Sequence, residues 1–350
     1  MALLLALLLV STVPVAAAPF STLYFFGDSL SDAGNIHNLT LGSYPASPYY
    51  AGRFSNGPVW ADYFAYGMGM PQTSQAYGMS LGPNFGNLEI AGDGGNNFAI
   101  GGARNYFGGA IDNLGVPTGV LWQAQYYYFE SGGVLDPNAL YVLFGGGNDL
   151  RDASRLAPAA RDEAATLAAV YLAYTTYTLE QMGARNFLVL NAPDIGNTPE
   201  SRLVLNNESA ATAATLVYNS TLQGYITNFR SFLSRSNFYY VDTYTLFEQL
   251  YADALNGGPL FGFTNAAIPC FPGFAGSTGA NCATSLFADD IHPTTGVHAL
   301  LAQAAYNTVN PPALFSARFA EPAVENPEPS TIGLCLAGLA FLTWKRRRRA

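Results

Sequence analysis

The order of apolar and helical segments along the chain predicts an α/β protein built on a mostly parallel, doubly wound sheet. Short apolar runs of strand length stop at a glycine or a polar loop, and long Ala/Leu-rich stretches at helical spacing lie between and after them. Strand, helix and strand in that order call for parallel pairing through crossover helices. In such a sheet, reactive residues collect at the carboxyl ends of the strands.

Leu23-Tyr24-Phe25-Phe26 is the first run and ends at Gly27, as a buried parallel strand does. Residues 42 to 122 are rich in Gly, Tyr, Asn and Pro without clear period, which predicts long loops over one edge of the sheet. Tyr126-Tyr127-Tyr128-Phe129 reads as core packing, with the wall of an acyl groove as the alternative. Leu140-Tyr141-Val142-Leu143-Phe144 before Gly145 is the second strand. A helix from Ala164 to Met182 stops at Gly183, and Phe187-Leu188-Val189-Leu190 is the third strand, opening into Asn191-Ala192-Pro193-Asp194. Further helices are expected over Ala210 to Leu233 and Gly296 to Val309.

No Pro/Ser-rich linker divides the middle of the 350 residues, so one large domain is expected. With 22 Tyr, 23 Phe and only 11% charged residues, the chain has ample apolar surface for a core. Residues 19 to 325 carry 10 basic against 23 acidic side chains, a net of −13. That balance excludes nucleic acid as a partner, because duplex binding relies on Lys and Arg neutralising phosphates.

Both ends read as sorting signals. Residues 1–18 form an apolar leader closed by Ala16-Ala17-Ala18, the pattern of a signal peptide. Residues 321–350 hold Pro327-Glu328-Pro329-Ser330, a short apolar segment from Thr331 to Trp344, and Lys345 followed by Arg346 to Arg349. The segment is shorter than the roughly 20 residues of a comfortable span, but the cationic run favours a cytoplasmic end and Trp344 suits an interface. The arrangement resembles the PEP-CTERM sorting tail of Gram-negative bacteria. That resemblance implies export, transient membrane anchoring through the tail, and cleavage near Pro327 by an exosortase-type enzyme; a plain anchor without processing is the alternative. Export suits a disulfide between Cys270 and Cys282, which enclose a Gly/Pro/Ser/Ala-rich loop, while Cys335 lies in the apolar tail segment. No metal site is expected from the cysteines, since no His joins them before His292.

Ser29 is the candidate nucleophile. A serine hydroxyl is a weak nucleophile and needs a base within hydrogen-bond reach and a third group to orient that base. Only His37, His292 and His298 are available. In Asp289-Asp290-Ile291-His292-Pro293, Asp289 can fold back on Nδ1 across one turn and leave Nε2 for Ser29; Asp290 is the alternative orienting group. An Asp-x-x-His spacing alone is also met in surface turns. Taken with Gly27-Asp28-Ser29-Leu30, Asn97-Phe98-Ala99-Ile100-Gly101-Gly102-Ala103 and Gly145-Gly146-Gly147-Asn148-Asp149, it resembles the GDSL branch of the SGNH hydrolases.

That resemblance implies a three-layer α/β/α domain over residues 19–320 with a five-stranded, flavodoxin-like sheet. It implies Ser29, His292 and Asp289 as a catalytic triad, and the Ser29 and Gly102 N–H groups with the Asn148 amide as an oxyanion hole; Gly101 is the alternative to Gly102. The Ser29 N–H is expected at a helix N-terminus, with Asp28 bracing the turn. Asp32, Gly34 and Asn35 extend the family wording without a chemical role of their own, and Gly52 to Trp60 is expected to shape the substrate cleft. The implied activity is ester hydrolysis on a lipid or an acylated polysaccharide, with no metal or organic cofactor. A non-catalytic matrix protein associated with exopolysaccharide, and an esterase deacetylating such a polymer, are the other readings. The serine is not set in Gly-x-Ser-x-Gly, and no Gly-Lys-Ser/Thr follows Gly145-Gly146-Gly147, so neither the α/β-hydrolase elbow nor a phosphate loop is implied.

Overall fold

The computed structural model describes residues 19–81, 88–90, 94–112 and 115–310. The leader at 1–18 and the tail at 321–350 lie outside the described residues, as does Cys335. In chain order the elements are β1 (Leu23–Gly27), α1 (Asn35–Leu39), α2 (Trp60–Gly67), β2 (Met79–Leu81), β3 (Leu88–Ile90) and α3 (Val120–Glu130). There follow β4 (Leu140–Phe144), α4 (Gly147–Ala153), α5 (Pro158–Gln181), β5 (Asn186–Leu190), α6 (Glu208–Phe232), β6 (Asn237–Val241), α7 (Thr243–Leu255) and α8 (Thr295–Val309).

The main sheet runs β1-β4-β5-β6 with every neighbour parallel, and the strands start in step: Leu23 faces Leu140, Leu140 faces Asn186, and Asn186 faces Asn237. A fifth position beside β1 is taken by residues 96–100, which hydrogen-bond along it without forming a regular strand. The Phe25 N–H donates to Asn96 O at 3.0 Å, Phe98 N–H to Phe25 O at 2.8 Å, and Ile100 N–H to Gly27 O at 3.1 Å. Each strand divides its side chains between two faces, as a period of two requires. Phe26, Tyr141, Leu143, Phe187 and Val189 enter one core with α3, α5 and α6; Phe25, Val142, Phe144, Leu188 and Leu190 enter the other with α2 and α8. Burying each large apolar side chain contributes about 2 kcal/mol, so both faces of the sheet hold the layers together.

The sequence expectations meet this fold with instructive differences. Helix α5 starts at Pro158, which fits the first helical turn, and its end is followed by Gly183 at φ 114°. The stretch from 42 to 122 is not all loop: it holds α2, a 3-10 turn at Pro71–Ser74, the β2–β3 hairpin and the start of α3. Trp60, Phe64 and Ala65 of α2 are buried, at a spacing that the surrounding Gly and Pro obscure. Strand β6 and helix α7 were not expected either, because Asn-Phe-Tyr-Tyr-Val mixes polar and aromatic residues and only packing on β5 selects the extended form. Tyr127 is buried in α3, and Tyr126 and Tyr128 pack against the same core; none of the three lines the cleft that holds Ser29. Among the described residues no helix is long and apolar enough to cross a membrane.

Candidate active site

Three segments meet at the carboxyl ends of β1 and β4. The chain leaves β1 at Gly27 and turns tightly, with the N–H groups of Ser31 and Asp32 both donating to Asp28 O at 3.0 Å. Ser29 therefore lies in a turn rather than at a helix N-terminus, because α1 begins only at Asn35, where Gly34 at φ 123° redirects the chain. The Asp28 side chain braces the turn, accepting the Leu30 N–H at 3.0 Å.

Asp32 does more than extend a motif. Its buried carboxylate accepts the N–H groups of Gly34 (2.7 Å), Asn35 (2.6 Å) and Ile36 (3.1 Å), and that of Gly101 at 2.7 Å from the neighbouring block. Asn35 adds donors to Asn97 O at 2.7 Å and Ala99 O at 2.9 Å. These bonds fasten residues 97–101 to the serine turn. They also separate two glycines that sequence left as alternatives: the Gly101 N–H is engaged by Asp32, whereas those of Gly102 and Ser29 have no acceptor among the described residues. Gly102 is at φ 79°, and a Cβ there would meet the Ala110 methyl at 2.5 Å, so only glycine fits.

His292 closes the arrangement from the far end of the chain. Its Nε2 lies 2.8 Å from Ser29 Oγ and its Nδ1 lies 2.6 Å from Asp289 Oδ2. Asp289, not Asp290, meets the ring. The other Asp289 oxygen accepts the N–H groups of Ile291 (2.8 Å) and His292 (2.7 Å), and the Tyr49 hydroxyl donates to Oδ2. All three side chains are nearly buried: Ser29 is 7% exposed, His292 6% and Asp289 3%. Burial alone would raise the Asp289 carboxyl, but the imidazole beside it and its hydrogen bonds with His292 and Tyr49 outweigh that and hold it below the usual carboxylate range. Burial pushes Asp28 up to about 6 and Asp149 to about 7, opposed by backbone N–H groups. His298, fully buried on α8, is pushed down to about 3 by burial and then by His292.

Asn148 sits in the first turn of α4, after Gly146 in a left-handed conformation. One of its amide hydrogens goes to Ala103 O at 3.0 Å, which leaves the other for a ligand, and Arg151 Nη1 reaches its Oδ1 at 3.4 Å. Ser29, Asn148 and His292 line one cleft of about 790 Å³, its open mouth included; Asp289 stands behind His292, and Gly102 lies outside the lining. The segment from Gly52 to Trp60 is likewise not in the cleft wall. It braces the histidine from behind: the Phe54 ring lies 4.9 Å from the imidazole, Ser55 Oγ donates to Pro293 O at 2.9 Å, and Asn56 Oδ1 accepts the Thr295 N–H at 2.9 Å. Cys270 and Cys282 are joined by a disulfide with Cα atoms 5.0 Å apart. Among the described residues no group of three or more His, Cys, Asp or Glu is placed to hold a metal.

Residues 23–305 match the family of GDSL-like lipases and acylhydrolases. The chain belongs to that family. Residues 327–349 of this GDSL-like chain match the PEP-CTERM protein-sorting motif. The anther-specific proline-rich protein APG of Arabidopsis thaliana is 30% identical over 334 residues, covering 82% of the GDSL-like chain and 59% of APG. The thermolabile hemolysin of Vibrio parahaemolyticus is 27% identical over 79% of this chain and 61% of its own length. A phosphatidylcholine-sterol acyltransferase from Aeromonas hydrophila is 25% identical over 82% and 89% respectively. The GDSL-like chain thus spans about three-fifths of the first two relatives.

Sequence reasoning missed two contributors. Tyr49 carries no spacing signal, since 240 residues separate it from Asp289. Arg151 was assigned no role from the sequence, yet it forms a forked pair with Glu200 at 2.7 and 2.6 Å at the cleft.

Proposed function

We propose that the protein is an exported serine ester hydrolase acting on esters of aliphatic acids. The observation that carries this is the unbroken line of hydrogen bonds from Ser29 Oγ through His292 to Asp289, at 2.8 and 2.6 Å. As Ser29 Oγ bonds to the ester carbonyl carbon, its proton passes to His292 Nε2, and Asp289 stabilises the imidazolium. The carbonyl oxygen takes up negative charge, which the Ser29 and Gly102 N–H groups and the free Asn148 amide hydrogen are suited to receive. The tetrahedral species collapses, the alcohol leaves with the proton from His292, and an acyl-serine remains. Water then repeats the sequence, with His292 as base, and releases the acid.

The cleft supports an acyl chain better than a sugar. Several of its polar side chains are spent on the protein: Arg151 on Glu200, Asn197 on Glu248 at 2.5 Å, Thr198 on Ile195 O at 2.7 Å, and Asp194 on the Gly196 N–H and Thr212. What faces the ligand is largely apolar, from Phe144, Ile195, Phe247, Leu286 and Phe287. An acetylated polysaccharide would need more unspent donors and acceptors there than the Asn148 amide supplies.

Residues 19–320 form the hydrolase unit in this reading, with residues 1–18 a signal peptide and 321–350 a tail for transient membrane anchoring and exosortase-type processing. The sorting motif at 327–349 supports export and association with the cell surface. A fluorophosphonate probe should label the wild type and spare Ser29→Ala, with hydrolysis of p-nitrophenyl butyrate following the same pattern. Equal labelling of both, or of neither, overturns the assignment. Acetate release from an acetylated exopolysaccharide without turnover of longer acyl esters favours the deacetylase, and polysaccharide binding without any hydrolysis favours the matrix protein.

A further inference from the structure

We infer that Tyr49 is a positioning residue of the Ser29–His292–Asp289 relay: its hydroxyl fixes the Asp289 carboxylate against the imidazole, and the aromatic face of the Cys270–Cys282 loop fixes Tyr49. The inference rests on the serine-hydrolase reading above.

Four donors saturate the Asp289 carboxylate. Three come from its own turn, namely the N–H groups of Ile291 and His292 at 2.8 and 2.7 Å and the His292 ring at 2.6 Å. Any Asp-x-x-His turn of this shape can supply those. The fourth is the Tyr49 hydroxyl, which reaches the same oxygen that faces the imidazole. It is the contact from outside the turn, and so the one that ties the carboxylate's rotation to the rest of the molecule. Burial and then the Asp289 charge raise the Tyr49 hydroxyl, which keeps it a donor.

The tyrosine is itself held by rings. Phe54, Phe271 and Phe274 meet it edge to face, with centroids at 5.8, 5.3 and 6.1 Å. Phe54 also covers His292, while Phe271 and Phe274 belong to the disulfide loop. That loop is stitched to the histidine segment: the Cys270 N–H donates to Phe287 O at 3.0 Å and the Phe271 N–H to Ala288 O at 2.8 Å. The disulfide loop therefore supports the base through backbone bonds and the orienting acid through Tyr49.

Tyr49→Phe removes the hydroxyl and keeps the ring. The loss of one hydrogen bond to a buried carboxylate should lower kcat about tenfold with KM unchanged. An uncovered carboxylate also favours the imidazolium, so the acid limb of kcat/KM should move to higher pH. The other charged or titratable groups around the pair, Asp28, Tyr44, Arg151, Glu200, Asp290 and His298, are the same in wild type and variant. Phe274→Ala loosens the cage and leaves the hydroxyl; it should lower kcat in the wild type and have little further effect in the Tyr49→Phe background. Unchanged kcat in Tyr49→Phe, an unmoved acid limb, or an equal Phe274→Ala effect in both backgrounds overturns the inference. Fluorophosphonate labelling should persist in Tyr49→Phe; a wild type that does not label fails the hydrolase reading itself, a result distinct from these.

Discussion

The two halves of the site are held in different ways. Ser29 follows strand β1 by two residues, and its turn is fastened from within: Asp28 O closes it, and Asp32 gathers four N–H groups from two segments. His292 lies on a loop with no strand behind it. It is held by other loops, through Phe54, Ser55, Tyr49 and the disulfide-linked segment. Ser29 is thus placed by the sheet and a buried polar network, whereas His292 is placed by side-chain packing and a covalent staple. Perturbing the first should affect folding and activity together; perturbing the second should affect activity more selectively.

The bluntest way to break this comparison is to remove the two proposed reacting groups themselves. Ser29→Ala and His292→Ala should each lower turnover by about 10³-fold or more, and the double variant should be no worse than either single one, because the two act as one unit. Additive losses in initial-rate measurements would mean that they do not. Asp32→Ala comes next. It leaves four buried N–H groups without their acceptor, at about 1 to 3 kcal/mol for each that finds no other partner, partly offset by no longer burying a carboxylate. A fall of several kcal/mol in denaturant unfolding is expected, with activity lost as Gly102 and the serine turn separate. A variant that melts like the wild type would show that the network is dispensable.

On the histidine side, Cys282→Ser opens a loop of 12-residue separation. The chain-entropy model assigns such a loop about 3 kcal/mol, and here much of the ordering falls on the segment that carries Asp289 and His292. Below the melting transition kcat should fall while the near-ultraviolet circular dichroism of the sheet core is kept. Loss of fold and activity in step would erase the contrast between the halves.

The meeting of Ser29 with His292 and Asp289 was legible because the Gly27-Asp28-Ser29-Leu30 and Asp289-x-x-His292 blocks together resemble the GDSL family pattern, in a chain with three histidines. The doubly wound sheet was legible in the apolar runs before Gly27, Gly145 and Asn191. What escaped depends on long-range partners. The extended form of β6 is selected by β5, the roles of Asp32 and of Gly101 against Gly102 appear only once two segments touch, and Tyr49 is an ordinary aromatic until Phe271 and Phe274 surround it. Local pattern carries no record of such contacts, since the residue types involved are equally at home in a core.

The smallest expected effect is in the pH dependence of stability, and it too separates the halves. Burial pushes Asp28 and Asp32 up to about 6 and Asp149 to about 7, all on the serine side. The folded protein then holds protons that the unfolded chain releases near pH 4, so stability should fall as pH rises from about 4 to about 7. On the histidine side Asp290 is also raised, by burial and then the Asp289 charge, but Asp289 and Glu200 beside it are lowered, with burial overcome by their partners. Their stabilisation is present above the unfolded carboxylate value and is lost as pH falls below it. The two signs together place the optimum for these groups near pH 4, where the raised carboxyls begin to lose stability and the lowered ones have regained theirs. Thermal melts should therefore show a higher midpoint near pH 5 than near pH 8, and Asp149→Asn should shrink that difference by removing the group pushed up furthest. A wild-type midpoint that climbs from about pH 5 to 8 would mean that the carboxylates beneath the serine turn are stabilised as anions, and that the serine side, like the histidine side, is held by charge.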